Sequence, residues 1–216
     1  MLVVAVVSGS ALVMPYVLFD VDASRIPARN ELHWVLLQVH IFTAMVALVL
    51  GPLQFVPWLR ARRRVHRTIG RTYLFVGVFP SALAVIPVAA LSERGPVTQV
   101  GLFIPGVLWL VTGGLALRAA RRHDFAAHRA WMMRNYALTF LAVTSRVAVP
   151  VLLLAQVSLV DALYGGSVDA AVKATIPIGQ WLGWIINLIV ADFLIRRKRS
   201  RTSGRTGAIS GTPAGV

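Results

Sequence analysis

The chain has 216 residues, of which 57% are hydrophobic and only 14% charged, with a formal net charge of +14. A soluble domain carries roughly 25% charged residues, so this composition and its long uncharged runs point to lipid as the solvent and exclude an ordinary soluble domain. No cysteine is present, which excludes disulfides, iron–sulfur clusters and thiolate metal sites within this chain.

The positive charge is clustered. Six basic residues fall between Arg60 and Arg71, five between Arg118 and Arg134, and six between Arg196 and Arg205. These stretches alternate with apolar segments, the pattern of the positive-inside rule. A nucleic-acid partner is therefore excluded in favour of a bilayer. Anionic lipid headgroups are expected at the basic loops and tail.

In chain order, the first apolar segment runs from Leu2 to about Phe19 and reads as an uncleaved span, followed by an outer loop from Asp20 to His33. A second span covers Trp34 to Trp58, and Arg60 to Arg67 forms an inner loop. The third span, Tyr73 to Leu91, carries Pro80 and Pro87 as expected kinks. A tight outer turn over Ser92 to Thr98 leads to a fourth span, Val100 to Leu117, and a second inner loop, Arg118 to Arg134. The fifth span runs from Asn135 to Leu159 with an interruption near Pro150. After an outer loop from Asp161 to Lys173, the sixth span covers Ile178 to Ile195.

The expected fold is thus an all-α polytopic bundle of about six spans, with both chain ends and the basic loops cytoplasmic in the cell membrane. Residues 1–195 form one transmembrane domain. Residues 196–216 are basic, then rich in Gly, Ser and Thr, and form a disordered cytoplasmic tail.

A weak internal repeat is visible. Gly51 precedes His66 by fifteen residues, and Gly113 precedes His128 by fifteen. Each His is followed by Arg and then by Arg-x-Tyr, at Arg71-Thr72-Tyr73 and Arg134-Asn135-Tyr136. Spans 2–3 and 4–5 would then be hairpins of one orientation.

Four residues stand out for chemistry. Arg146 lies about 16 Å into the fifth span at 1.5 Å per residue. A guanidinium at that depth must face the bundle interior, on one face with Tyr136, Thr139, Val143 and Pro150. It reads as an anion site or as a structural cap of carbonyls freed by proline. Asp192 lies four residues before Arg196, so a local ion pair explains it. His40 sits in a stripe with Ala44, Ala47 and Gly51 that lets helices approach closely, and a hydrogen-bonded neutral imidazole is its simplest reading. His66 and His128 occupy equivalent places at the inner end of two hairpins and could face each other. They read either as part of a site for propionate or phosphate groups or as interfacial residues binding lipid phosphate. Trp34, Trp58, Tyr73, Trp131 and Tyr164 fall where an interfacial aromatic belt is expected, and Trp109, Trp181 and Trp184 read as packing.

The order of motifs carries a resemblance. An intramembrane His40 is followed by Gly51-Pro52-x-Gln54-Phe55, then by Arg62-x-x-x-His66-Arg67-x-x-Gly70-Arg71-x-Tyr73. Next come His128-Arg129-x-Trp131-Met132-x-Arg134-x-Tyr136-Ala137 and Arg146 ahead of Val149-Pro150. This resembles the bacterial integral-membrane family catalogued as domain of unknown function 2306, over roughly residues 34–155. The resemblance implies a multi-helix membrane protein and no established activity. It marks His40, His66, Arg71, His128, Trp131, Arg134 and Arg146 as a candidate ligand-binding constellation.

The functional expectation is an interior site for a small anionic or amphipathic ligand, reached from the cytoplasmic side. The alternative is a haem b electron carrier with His66 and His128 as axial ligands and no other metal site assigned. A third reading is an accessory subunit of a larger membrane complex.

Overall fold

The computed structural model describes residues 2–17 and 29–210, and every regular element among them is helical. Helix α1 (Leu2–Val13) tightens into a 3₁₀ turn at Met14–Tyr16, where Pro15 lacks an amide donor. Helix α2 (Glu31–Leu53) starts at Asn30, whose side chain accepts from the His33 amide at 2.8 Å. This is the capping role short amides serve at helix starts. It ends ahead of Pro57, because Val56 is held extended by the proline that follows.

A short α3 (Pro57–Ala61) then turns the chain. From Arg63 onward α4 (Arg63–Thr72), a π-helical stretch (Tyr73–Val78) and α5 (Phe79–Ala90) form one rod. Gly95, with φ of 85°, ends the turn that leads into α6 (Pro96–Arg121). Helix α7 (Phe125–Thr139) is capped by Asp124, and a break at Phe140 separates it from α8 (Leu141–Gln156). After α9 (Val160–Tyr164), Gly165 and Gly166 reverse the chain at positive φ, a conformation glycine adopts without strain. The last helix is α10 (Val168–Ser210).

Five of the described helices are long and apolar enough to cross a membrane: Glu31–Leu53, Arg63–Ala90, Pro96–Arg121, Leu141–Tyr164 and Val168–Lys198. The first apolar segment, expected as a further span, is a shorter helix in the described residues. The final residues of that expected span and most of the loop after it lie outside them.

Both expected inner loops are mostly helix. Arg63 to Thr72 belongs to α4, and only residues 122–124 separate α6 from α7. Arginine is a good helix former, so the end of an apolar run marks where lipid contact stops rather than where the helix stops. The fifth span breaks at Phe140 rather than near Pro150, which lies inside α8. At the break the Thr139 hydroxyl bonds back to the Asn135 carbonyl at 3.1 Å, a local competitor of the helix ladder. The irregular stretch of the third span is Tyr73–Val78, just before Pro80. Helix α10 continues past Arg196, the expected start of the tail, to Ser210.

The helices pack in the order α1, α2, α5, α6, α10, α8 around the bundle, and α8 meets α1 again. Helix α7 packs against α6 and α10 and also touches α2 and α8. Small residues permit the close approaches. A Cβ at Gly77 would lie 2.9 Å from the Ala47 backbone nitrogen, and a methyl at Gly51 would overlap the Tyr136 ring.

A buried polar network ties α7 to its neighbours. The Tyr73 hydroxyl donates to Asn135 Oδ1 at 2.6 Å and lies 2.9 Å from Thr139 Oγ1. Thr139 Oγ1 accepts from Trp109 Nε1 at 2.9 Å, while Asn135 Nδ2 donates to the Trp109 carbonyl and to Thr112 Oγ1. Tyr73 and Asn135 are fully buried. Tyr73 therefore belongs to the core and not to an interfacial belt, and Trp109 hydrogen-bonds as well as packs. Trp58, by contrast, is largely exposed, under the Arg62 guanidinium at 4.0 Å.

Candidate functional site

His66 and His128 are each the fourth residue of their helix. Both helices run away from the basic end, so they are parallel. The network fixes their register: Tyr73 meets Asn135, and seven residues earlier on each helix stand His66 and His128. Seven residues are two turns, about 10 Å, and return to the same face. The two imidazoles are thereby brought near one another, with the charges of His128 and of Arg60 within electrostatic reach of His66.

Their immediate partners differ. His128 Nδ1 lies 2.8 Å from the Ala116 carbonyl on α6. A carbonyl can only accept, so Nδ1 carries a hydrogen and donates it here. His66 Nδ1 is buried without a partner. Ala116 lies three residues after Gly113, and the equivalent residue of the first hairpin, three after Gly51, is Gln54. Gln54 is 5% exposed and its Nε2 has no partner. Its side chain lies against Gly70, where a Cβ would stand 3.1 Å from Gln54 Oε1. Gly70 is one turn beyond His66 on α4, so Gln54 and His66 share that face.

Arg129, next to His128, has a buried Nε without a partner. It lies seven residues before Tyr136, on the same side of α7. Tyr136 donates to the Leu48 carbonyl of α2 at 3.3 Å, and its ring is 6.0 Å from Phe55. The side of α7 that carries Arg129 is thus the side facing the end of α2. Gln54 at the end of α2, His66 on α4, and His128 and Arg129 on α7 thus lie at the same basic end of the bundle, where α2 packs against both α4 and α7.

The other expected site residues lie elsewhere. His40 is joined to α5: its Nδ1 lies 2.8 Å from Ser81 Oγ and 3.1 Å from the Ser81 carbonyl, and the serine hydroxyl donates to the His40 carbonyl at 3.0 Å. This is the hydrogen-bonded imidazole expected of it. Arg71 is exposed on α4. Trp131 is half-buried, 4.8 Å beneath the Arg134 guanidinium, and Arg134 Nε donates to Asp192 Oδ1 at 2.8 Å. Asp192 thus reaches across to α7, beyond the local contact with Arg196 expected of it.

Arg146 also corrects its expectation. It is exposed on α8, with Nη1 donating to the Ala142 carbonyl at 3.0 Å. The break at Phe140 ends the continuous face that would have aligned Arg146 with Tyr136 and Thr139.

Sequence reasoning did not single out Gln54 and Arg129 as site residues. The available signal was the repeat itself, which sets Gln54 opposite Ala116. Among the described residues, no group of three or more His, Cys, Asp or Glu could hold a metal ion.

Neither the comparison with curated proteins nor that with solved structures found a match. A family model described as a predicted membrane protein, domain of unknown function 2306, matches residues 37–195 and so extends beyond the motif region through α8 and into α10. With most of its length covered by that match, the chain belongs to the domain of unknown function 2306 family of predicted membrane proteins.

Proposed function

We propose that this membrane protein binds a small anionic or amphipathic ligand where α2, α4 and α7 meet, and that this basic end faces the cytoplasm in the cell membrane. The observation that carries the reading is the pairing of His66 and His128 at one end of the bundle, with the His66 Nδ1 buried and unpartnered. A buried polar atom without a partner is uncommon and invites a water, ion or ligand. The exposed arginines of α4, Arg63, Arg64, Arg67 and Arg71, surround the entrance with positive charge. They would draw anions toward it and hold anionic headgroups.

Thermal unfolding of the purified protein in a neutral detergent, run against a panel of anions and amphiphiles, tests this. A saturable rise in midpoint that disappears in both His66→Ala and His128→Ala supports the site. A rise that survives both substitutions places binding elsewhere.

One observation favours haem b as a second reading. The His128 Nδ1 hydrogen bond to a backbone carbonyl orients a ring as metal-ligating histidines are usually oriented. His66 lacks that support. A reduced-minus-oxidised spectrum decides: Soret and alpha bands lost in His66→Ala and His128→Ala would establish it, and a colourless protein folded with ample haem would refute it.

A further inference from the structure

We infer that the group held at this site is a phosphate-type oxyanion, and that Gln54 and Arg129 are the residues that grip it beside His66; the inference rests on the ligand site proposed above. Gln54 Nε2 and Arg129 Nε are both buried without partners. An amide nitrogen and a guanidinium nitrogen can only donate hydrogen bonds. Two obligate donors, Gln54 Nε2 and Arg129 Nε, and the unpartnered His66 Nδ1 therefore lie buried at the same end of the bundle, and neither donor has an acceptor.

Among the described residues no carboxylate is available to serve them. Asp124 is committed to the α7 cap, accepting from the Ala127 amide at 2.9 Å, and Asp192 is held by Arg134. The other acids of the described residues, Glu31, Glu93, Asp161 and Asp169, lie at the opposite ends of the helices.

The missing partner must accept from several directions and carry negative charge. A neutral carbonyl has two lone pairs on one oxygen and leaves the surrounding cations uncompensated. An oxyanion presents several oxygens and matches arginine well. The two hairpins differ here: His128 is satisfied by the Ala116 backbone carbonyl, whereas His66 Nδ1 has no partner. At the place equivalent to Ala116 the first hairpin carries Gln54, and Gly70 leaves the space in which its amide lies against α4.

The oxyanion can come from a soluble phosphate or from a lipid headgroup. The test uses the full-length protein in neutral detergent, titrated with inorganic phosphate and separately with dioctanoyl phosphatidic acid. Saturable stabilisation is expected from at least one probe, weakened tenfold or more in Gln54→Glu and in Arg129→Gln. The unliganded unfolding midpoint of the near-isosteric Gln54→Glu should be retained. Arg121→Gln, an exposed arginine at the same end of the bundle, should bind as the wild type does. Much tighter binding of phosphatidic acid assigns a lipid source, and equal binding a soluble one.

No saturable effect of either probe, or one undiminished in both Gln54→Glu and Arg129→Gln, overturns the inference. If a neutral quinone stabilises the protein instead, and His66→Ala abolishes that effect, the oxyanion is wrong and the site stands. If no probe binds and the histidine variants change nothing, both fail.

Discussion

Replacing Tyr73 with Phe removes one oxygen from the centre of the bundle, and its consequence can be worked from the network. That hydroxyl is the donor to Asn135 Oδ1 at 2.6 Å and a neighbour of Thr139 Oγ1 at 2.9 Å. The Asn135 amide nitrogen stays engaged by the Trp109 carbonyl and Thr112, so the side chain cannot turn to find another donor. Tyr73→Phe therefore leaves Asn135 Oδ1 orphaned at a site with no solvent.

Leaving a buried acceptor unpaired costs about 1–3 kcal/mol. Hydrogen bonds within membrane proteins average about 0.6 and reach about 1.7 kcal/mol. A doubly bonded hydroxyl belongs at the upper end, about 1–2 kcal/mol. Reversible unfolding in mixed detergent micelles measures it, and a double-mutant cycle with Asn135→Ala isolates the pair. A Tyr73→Phe variant within about 0.3 kcal/mol of wild type, well below the average bond, would refute the view that this network holds α4 and α7 in register. The same variant should loosen the His66–His128 pairing two turns away and weaken any ligand bound there.

Gly51→Ala would push a methyl into the Tyr136 ring. It should destabilise the protein by about 1–3 kcal/mol, the usual range for overpacking, with partial rescue by Tyr136→Leu in the same unfolding assay. Ser81→Ala removes both the hydroxyl beside His40 Nδ1 and the donor to the His40 carbonyl. About 1 kcal/mol of stability should be lost, without change in ligand binding at the basic end. Asp192→Asn should cost under about 1 kcal/mol, because the ion pair with Arg134 is partly exposed, and the loss should shrink as salt is raised during thermal unfolding. Arg146→Met should leave ligand binding at the wild-type level in a direct titration, since Arg146 stands on the exposed side of α8; a lost ligand effect would return it to the site.

Hydrophobicity alone locates the principal apolar spans, because a bilayer demands long uncharged helices whatever their neighbours. It does not locate the helix ends. Arg63 to Thr72 and Phe125 to Arg134 are polar enough to look like loops, yet nothing in them opposes helix strongly. Burial of polar side chains is equally hidden. Tyr73 sits at the edge of an apolar run, where an aromatic belt is the natural expectation. Only packing reveals that it is buried against α7, as Tyr136 is against α2. Arg146 shows the cost of treating a span as straight. Residues at helical spacing share a face only while the helix continues, and the turn at Phe140 cancels the alignment.

The repeat proved more informative than any single residue, through the place where its halves differ. Both hairpins put a histidine on the fourth residue of a helix, and a tyrosine from each reaches into the other hairpin. His128 is satisfied by the Ala116 backbone carbonyl, whereas His66 Nδ1 has no partner, and Gln54, at the place equivalent to Ala116, brings an unsatisfied amide of its own. A buried polar side chain with no partner is destabilising unless something outside the chain completes it. Replacing Gln54 by Ala, which removes the unsatisfied amide, should therefore stabilise or leave unchanged the unliganded protein while removing its response to oxyanions. A destabilised Gln54→Ala protein would mean that Gln54 serves the fold, and the asymmetry would then carry no functional meaning.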